Sequence, residues 1–471
     1  MVRGVWTYAP TIVFGELGAR IVVKVGLLGL GTVGAGTVKL LLDPSGRNPL
    51  LQEIELYRVG VRSLNKPRAV NLPAQILTTD LEAIVNDPEV EIVVEVLGGL
   101  EPARSLILLA ISQGKHVVTA NKAVIARYGD EIFNAATAAG VYVLLEAAVG
   151  GGIPVIQPLK QSLGVNRIQA VTGIVNVTTN YILTRMQNEG SSFNNVLADA
   201  QKLGYAEADP TADVDGLDAA DKIAILASLA FGGRIKLQDV YCEGIRAVGK
   251  ADIAYAQKLG FVIKLLAIAQ REQTTANADA SNISPLSVRV HPTLVPQVHP
   301  LASVNGVDNA ILVAGEPIGE VMFFGPGAGA GATASAVVSD ILNIVAVLKT
   351  NPAETQTAAK IHPLLACSHQ HYSANPNGQA FLGIAPMEEL VTRFYARFLT
   401  LDRPGVIGKL GTCFGNHGVS LESVVQTGVQ DQLAEIVVVT HDVREGNFRS
   451  SLAEIRTLEA VDSIPSLLRV L

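Results

Sequence analysis

Residues 22–34, VVKVGLLGLGTVG, constrain the fold of this chain more than any other stretch. The apolar run breaks into Gly29-x-Gly31-x-x-Gly34 and resumes as a helical pattern through about Leu42, which reads as buried strand, glycine turn and helix. The first glycine permits a tight turn, the second lets backbone approach a pyrophosphate, and the third lets helix and strand pack closely. One such fingerprint alone is weak. Here apolar runs at 54–61, 91–97, 116–119 and 141–145 alternate with helical segments, a pattern that builds a Rossmann-type, doubly wound parallel sheet. Candidate cofactor contacts in the turn are Gly29, Leu30, Gly31, Thr32, Val33 and Gly34.

An NAD-binding fold offers a carboxylate to the ribose 2′-hydroxyl after its second strand. This chain offers Arg62, Lys66 and Arg68 there, with no carboxylate until Asp80. Three cations favour a 2′-phosphate, so NADP(H) is the expected cofactor, with NAD(H) compatible and Arg62 the candidate contact; a solvated basic loop is the plain alternative. Further along the same edge, Gly98-Gly99 ends one strand with bare backbone, Gly98 being a candidate contact, and Lys122 follows the next strand. A cation at a helix start opposes the macrodipole, so Lys122 is either an ordinary surface lysine or is held there for an anion. The GPGAG at 325–329 opens a helix to about residue 348, and Gly327 reads as a second wall of the cofactor cleft or as a hinge.

After Gly150 the pattern turns α+β: strands at 168–176, 261–270 and 287–290, then a hairpin at 310–314 and 318–324. A mixed or antiparallel sheet there suits a substrate site and subunit pairing. From residue 391 a β-α-β-β-α-β order follows, ferredoxin-like. The expected organisation is an extension at 1–20, a dinucleotide-binding domain at 21–150 with a return helix at 326–348, a substrate and dimerisation domain at 151–325, a connection at 349–390, and a regulatory domain at 391–471.

With 471 residues, 49% of them hydrophobic and 17% charged, the chain has material for about three domains. Its mean hydropathy of +0.34 does not imply a membrane span, because glycines break the uncharged windows at 25–38 and 321–339. A net charge of −7 with no basic run excludes a nucleic-acid binder. Cys242, Cys367 and Cys413 match no metal or redox spacing, as expected in the cytoplasm, and residues 1–20 make a poor secretory signal.

Carboxylates crowd into residues 204–226, GYAEADPTADVDGLDAADKIAIL. From Gly216 this reads as a helix with Leu217, Ile223, Ala224 and Leu226 toward the core, and Asp218 and Lys222 are i,i+4 neighbours. An acid and an amine are side by side, either as an ordinary surface pair or as a proton-handling pair.

At this point the residues carry a resemblance. GLLGLGTVG, VVEVLGGLEPA, GKHVVTANKA, LEAAVGGGIPVI, the acidic stretch and GPGAGAGATAS resemble the signatures of homoserine dehydrogenases, in that family's order. LDRPGVIGKLGTCFGNHGVSLESVVQ resembles an ACT domain, a module that binds amino-acid effectors. No aspartokinase precedes the fold, so the likeness is to the monofunctional form. The resemblance implies NAD(P)H-dependent interconversion of L-aspartate 4-semialdehyde and L-homoserine, on the branch to threonine, methionine and isoleucine. It implies Lys222 as proton donor with Asp218 beside it, Lys122 as catalytic or substrate-orienting and as a cofactor contact against the nicotinamide, Glu207 on the substrate ammonium and Asp213 assisting. It also implies a monovalent cation, Na⁺, at Glu146, Val149, Gly151 and Ile153, although Glu146 reads equally as a strand-end cap. L-threonine is the expected effector, and a homodimer or homotetramer the expected assembly; the ACT fold can also serve oligomerisation alone. Val177 stands where the family commonly has glycine, and a β-branched residue there puts the local geometry in doubt. A non-catalytic dinucleotide and amino-acid sensor would not need Glu207, Asp218 and Lys222 together, whereas an oxidoreductase for another small semialdehyde would.

Overall fold

The computed structural model describes residues 22–272, 285–350, 383–430 and 433–471. The expected extension at 1–20 and most of the expected connection at 349–390 lie outside the described residues.

The apolar runs of the first third become a six-stranded parallel sheet ordered Leu77–Thr78, Ile54–Gly60, Val23–Leu28, Ile92–Glu95, His116–Thr119 and Val143–Leu144. Strands buried on both faces need no alternation, which is why they read as continuous apolar runs. On one face Leu28, Val93 and Val117 join Leu106 and Ile107 of helix Ala103–Ser112 and Val124 and Ile125 of helix Lys122–Ala139. On the other, Val25, Leu27, Val94 and Val118 meet Val337, Ile341 and Val345 of helix Ala330–Thr350. This late helix is long and apolar enough to cross a membrane, yet its apolar residues serve the core of the first sheet. Strand order reverses beside Val23–Leu28, so a crevice opens at the carboxyl ends of Val23–Leu28 and Ile92–Glu95.

The second sheet has eleven strands. Its main path runs Gly319–Pro326, Asp308–Glu316, Arg167–Ile174, Phe261–Arg271, Leu286–Pro296, Val461–Val470, Val391–Leu401, Leu433–Thr440 and Leu421–Gln430. Helices Val177–Glu189, Leu217–Phe231 and Lys250–Lys258 bury apolar residues in the same core as its central strands. Strand Leu286–Pro296 runs well past the short segment expected at 287–290, because Pro292 does not break it. Its two neighbours on one edge pair at Arg289–Val290 and at Thr293–Leu294, leaving Pro292 in the gap where the missing donor costs nothing.

The C-terminal unit has the β-α-β-β-α-β order read from the sequence, with Phe394, Phe398, Phe414 and Phe448 in its own core. Its last strand pairs in parallel with Leu286–Pro296 through Thr293↔Arg469 and Leu294↔Val470. The unit therefore extends the middle sheet rather than hanging from it by a tether.

Asp340, on the returning helix, is fully buried and accepts the Glu146 N–H at 2.7 Å through Oδ2, while its Oδ1 has no partner. Burial and the neighbouring Glu146 push its carboxyl up to about 8. The unfolded carboxyl titrates near 3.9, so between about pH 4 and 8 the folded chain binds more protons and this group's contribution to stability falls as pH rises. Asp340→Asn keeps an acceptor for Glu146 without a charge. Its melting temperature should drop less than that of the unsubstituted chain between pH 5.5 and 8; parallel pH dependence of the two would refute the assignment.

Candidate active site

The glycine turn is shaped by what surrounds it. Gly29 has φ +107°, and a Cβ there would lie 2.9 Å from the Val96 carbonyl; one on Gly34 would collide with the Gly29 carbonyl. Gly31, by contrast, has nothing within 4 Å and faces open space. It precedes helix Thr32–Leu42, which starts with no side-chain cap. Helix-start N–H groups without a cap are a ready anion site, so the turn fits a pyrophosphate. Leu30, Thr32 and Val33 line the same turn. Arg62 is exposed just beyond strand Ile54–Gly60. Of the three cations expected there, Arg68 is committed to the loop itself, donating to the carbonyls of Leu64 at 2.9 Å and of Ser63.

The next strand ends carry Glu95, which sequence reasoning did not single out. It is fully buried and accepts from Thr119 Oγ1 at 2.6 Å and the Leu97 N–H at 2.8 Å. Burial pushes its carboxyl up against those donors. Asn121 caps helix Lys122–Ala139 by accepting the Val124 N–H at 3.2 Å, and donates to the Gly99 carbonyl at 2.7 Å. Gly98 and Gly99 both have positive φ and are held between these two groups. Gly327 lies across from Gly151, close enough that a Cβ on Gly151 would strike its carbonyl.

Helix Leu217–Phe231 crosses helix Lys122–Ala139 and brings their starts together. Asp218 lies 3.0 Å from Lys122 Nζ through Oδ1 and 2.7 Å from Lys222 Nζ through Oδ2. Lys222 also donates to the Val175 carbonyl at 2.6 Å. Burial works against the Asp218 carboxylate, but Lys222, Lys122 and Asn176 outweigh it and hold the group far below the usual carboxylate range. Burial likewise lowers Lys122, and Asp218 more than restores it, leaving that ammonium above its ordinary value. The Asp218 partner is the reason a cation stands at this helix start.

Asn176 completes the network. Its Nδ2 donates to Asp218 at 2.9 Å and to Asp213 at 2.7 Å, while its Oδ1 accepts the Thr179 N–H at 2.8 Å as the N-cap of helix Val177–Glu189. Thr178 Oγ1 stands within reach of both Asp213 Oδ2, at 3.0 Å, and the Tyr205 carbonyl, at 2.6 Å, and its single hydrogen serves one at a time. An asparagine before Thr-Thr carries an N-cap signal, but its reach to two distant carboxylates is invisible without tertiary structure. Val177 takes ordinary helical geometry at the first helical position, so the disturbance expected from a β-branched residue there is absent.

Glu207 is exposed and forms no ion pair with either lysine among the described residues. Leu217, expected toward the core, is 51% exposed, because it opens the helix beside the crevice; Ile223, Ala224 and Leu226 are buried as expected. Glu146 does not present a free carboxylate. Its Oε1 accepts the N–H groups of Val155 and Ile156 at 2.6 and 2.8 Å, and its Oε2 that of Gln157 at 2.8 Å. It anchors the start of helix Ile156–Lys160. Among the described residues, no backbone N–H donates to the carbonyls of Glu146, Val149, Gly151 or Ile153.

Comparison with known proteins shows the family. Residues 29–146 match the family described as homoserine dehydrogenase, NAD binding domain, residues 154–342 the homoserine dehydrogenase family, and residues 395–460 the ACT domain. The chain is 66% identical to a Synechocystis homoserine dehydrogenase over 95% of its own length and 99% of that protein. It superposes on the crystal structure of a homoserine dehydrogenase from Thiobacillus denitrificans with a TM-score of 0.83 at 40% identity, covering 95% of this chain and 98% of the other. A hyperthermophilic archaeal homoserine dehydrogenase solved in complex with NADPH is similar at TM-score 0.58 and 27% identity, over 69% of this chain and 98% of that one.

Proposed function

The chain belongs to the homoserine dehydrogenase family, NAD(P)-dependent oxidoreductases that interconvert L-aspartate 4-semialdehyde and L-homoserine, and we propose that here Asp218 fixes two ammoniums around the reacting oxygen. The observation that carries this is the bridging of Lys122 and Lys222 by one buried carboxylate at the mouth of the dinucleotide crevice.

The dinucleotide, when bound, exchanges a hydride with the aldehyde carbon. Lys222 spends two of its hydrogens on Asp218 and Val175 and keeps a third for the substrate oxygen. In the reducing direction it stabilises the developing negative charge and gives up a proton; in the oxidising direction it takes one back. Asp218, with both oxygens occupied and its acidity strongly raised, acts as an orienting anion and not as a base. Lys122 supplies the second positive charge and orients the oxygen. Asp213, in the short helix Thr211–Val214, and the exposed Glu207 just before it present carboxylates to a substrate ammonium. Lys222→Ala should lower kcat by roughly 10²- to 10⁴-fold with dinucleotide affinity unchanged; near-unsubstituted turnover would overturn its role.

NADP(H) is the preferred cofactor in this reading, supported by exposed Arg62 and the absence of a carboxylate before Asp80. Arg62→Ala should raise the KM for NADPH roughly tenfold or more and leave that for NADH nearly unchanged. Equal losses for both would refute the preference. The cation reading also fits, through backbone: the four carbonyls near residues 146–153 are free of backbone donors, and Asp340 Oδ1 is an unpartnered buried acceptor nearby. Those oxygens suit Na⁺, and the Glu146 carboxylate stays with its three amides.

The ACT unit is read as a site for an amino-acid effector, L-threonine. Self-association through edge strand Gly319–Pro326 is supported by Met322 and Phe324, the latter 56% exposed, and gives a homodimer or homotetramer. The free thiols of Cys242 and Cys413 support a cytoplasmic setting. Initial rates of homoserine oxidation with each dinucleotide, with Na⁺ replaced by tetramethylammonium, and with added threonine test these together. Indifference to both additions would remove the cation and the effector.

A further inference from the structure

Asp213, Asp218 and Lys222 all depend on residues 213–218; Asn176 and Thr178 hold the side chains of this segment, and its backbone is held by a short piece of chain that the reaction itself does not use. The Ile245 N–H donates to the Val214 carbonyl at 2.8 Å. Cys242 Sγ donates to the Asp215 carbonyl at 3.3 Å, and Arg246 pairs with the Asp215 carboxylate. Gly244 passes so close that a Cβ there would collide with the Val214 carbonyl and lie 2.5 Å from Asp215 Cα. Gly216, the residue before the catalytic helix, has φ +85° and packs against Cys242 Sγ. A shift of residues 241–245 is therefore passed to the backbone at the start of the catalytic helix.

That piece is in turn gripped from the ACT unit. Arg469, on its last strand and almost fully buried, donates to Glu243 Oε2 at 3.0 Å and to the Tyr241 hydroxyl at 3.2 Å, and its guanidinium stacks over the Tyr241 ring at 4.9 Å. The same guanidinium is held at its rear by Glu445, with contacts of 2.9 and 2.6 Å, and Glu445 also accepts from Arg449. Tyr241 donates to Glu243 at 3.1 Å, closing the cluster. Strand pairing gives the grip its direction: Tyr241–Cys242 and the end of the Arg469 strand lie along one edge of Leu286–Pro296. Arg449, beside Glu445, also reaches the Tyr241 hydroxyl at 3.5 Å. The contacts of Arg397 and Tyr395 to Asp252 and of Tyr255 to Glu435 instead reach a different helix, Lys250–Lys258.

We infer that Arg469 of the ACT unit is a positioning residue for the dehydrogenase reaction, setting the catalytic helix through Tyr241, Glu243 and the backbone of residues 213–218. The ACT unit then does more than sit beside the enzyme: any ligand that shifts its last strand relative to Leu286–Pro296 moves Asp218 and Lys222 with it. This rests on the active-site reading given above.

The test uses the full chain with Arg469→Gln, Glu243→Gln and the double variant. Because a misplacement of about 1 Å can cost on the order of a hundredfold, Arg469→Gln should lower kcat/KM for homoserine by roughly tenfold. NADPH affinity, read by fluorescence, should stay within about twofold, since the glycine turn is untouched. Glu243→Gln should act in the same direction and more weakly, and the double variant should lose no more than Arg469→Gln alone, as expected of residues acting in one chain. Amide exchange over residues 211–218 should quicken in both single variants, a readout that holds whatever the substrate. If Arg469→Gln does not fold, Glu243→Gln decides, since Glu243 is 36% exposed and its loss leaves Arg469 paired with Glu445. Folded variants with unchanged homoserine kinetics and unchanged exchange would overturn the inference, as would equal losses of homoserine turnover and NADPH affinity. An unsubstituted chain that fails to oxidise homoserine would instead condemn the active-site reading, and the exchange data would still judge the coupling.

Discussion

A carboxylate taken out of water must be paid for by cations and donors, and Asp218 has collected three: Lys122, Lys222 and the Asn176 amide. Their origins explain much of the architecture. Lys122 begins a helix of the first sheet's outer layer, Lys222 lies on a helix of the second sheet's layer, and Asn176 caps a helix just after a strand of the second sheet. Bringing three elements to one carboxylate requires the two layers to meet helix against helix. Removing one partner of a buried ion pair typically costs ~3–5 kcal/mol, so the site is also a structural joint. Arg127 reinforces it one turn along, reaching Asp221 at 3.0 Å, and Arg234 pairs with Asp130 further down.

Much of this was legible from local pattern. The strand at 116–119 and the helix ending at Leu42 lie where periodicity put them, since both depend on burial and glycine geometry within a few residues. The i,i+4 pairing of Asp218 and Lys222 follows from helical spacing alone. What local pattern did not carry was anything dependent on a distant partner. Glu146 looks like a strand-end acid until its carboxylate is found on three amides of residues 155–157. Arg68 looks like a ligand contact until it is seen holding its own loop. Leu217 counts as apolar and helical, yet a first-turn position at the crevice leaves it in water. Pro292 argues against a central strand unless the gap between its neighbours is known.

The junction between the second sheet and the ACT unit belongs to the same class. The expected connection at 349–390 does not say how the ACT unit docks, and nothing local in Val461–Val470 announces that it will pair with a strand more than 150 residues earlier. The buried groups that seal the junction, Asp252, Glu445, Arg397 and Arg469, are each ordinary surface residues by type. Only their mutual satisfaction lets them be buried, and in sequence they are scattered over more than 200 positions.

The helix Ala330–Thr350 covers one face of a sheet whose strands were all completed by residue 144. During synthesis, then, Val25, Leu27, Val94 and Val118 emerge more than 200 residues before the helix that shields them. The nascent chain must carry a part-covered apolar face through the making of every strand from Arg167–Ile174 to Gly319–Pro326, and the first unit cannot mature until its last wall leaves the ribosome. An order of assembly is thus written into the connectivity: the N-terminal layer is the first to be made and among the last to be finished.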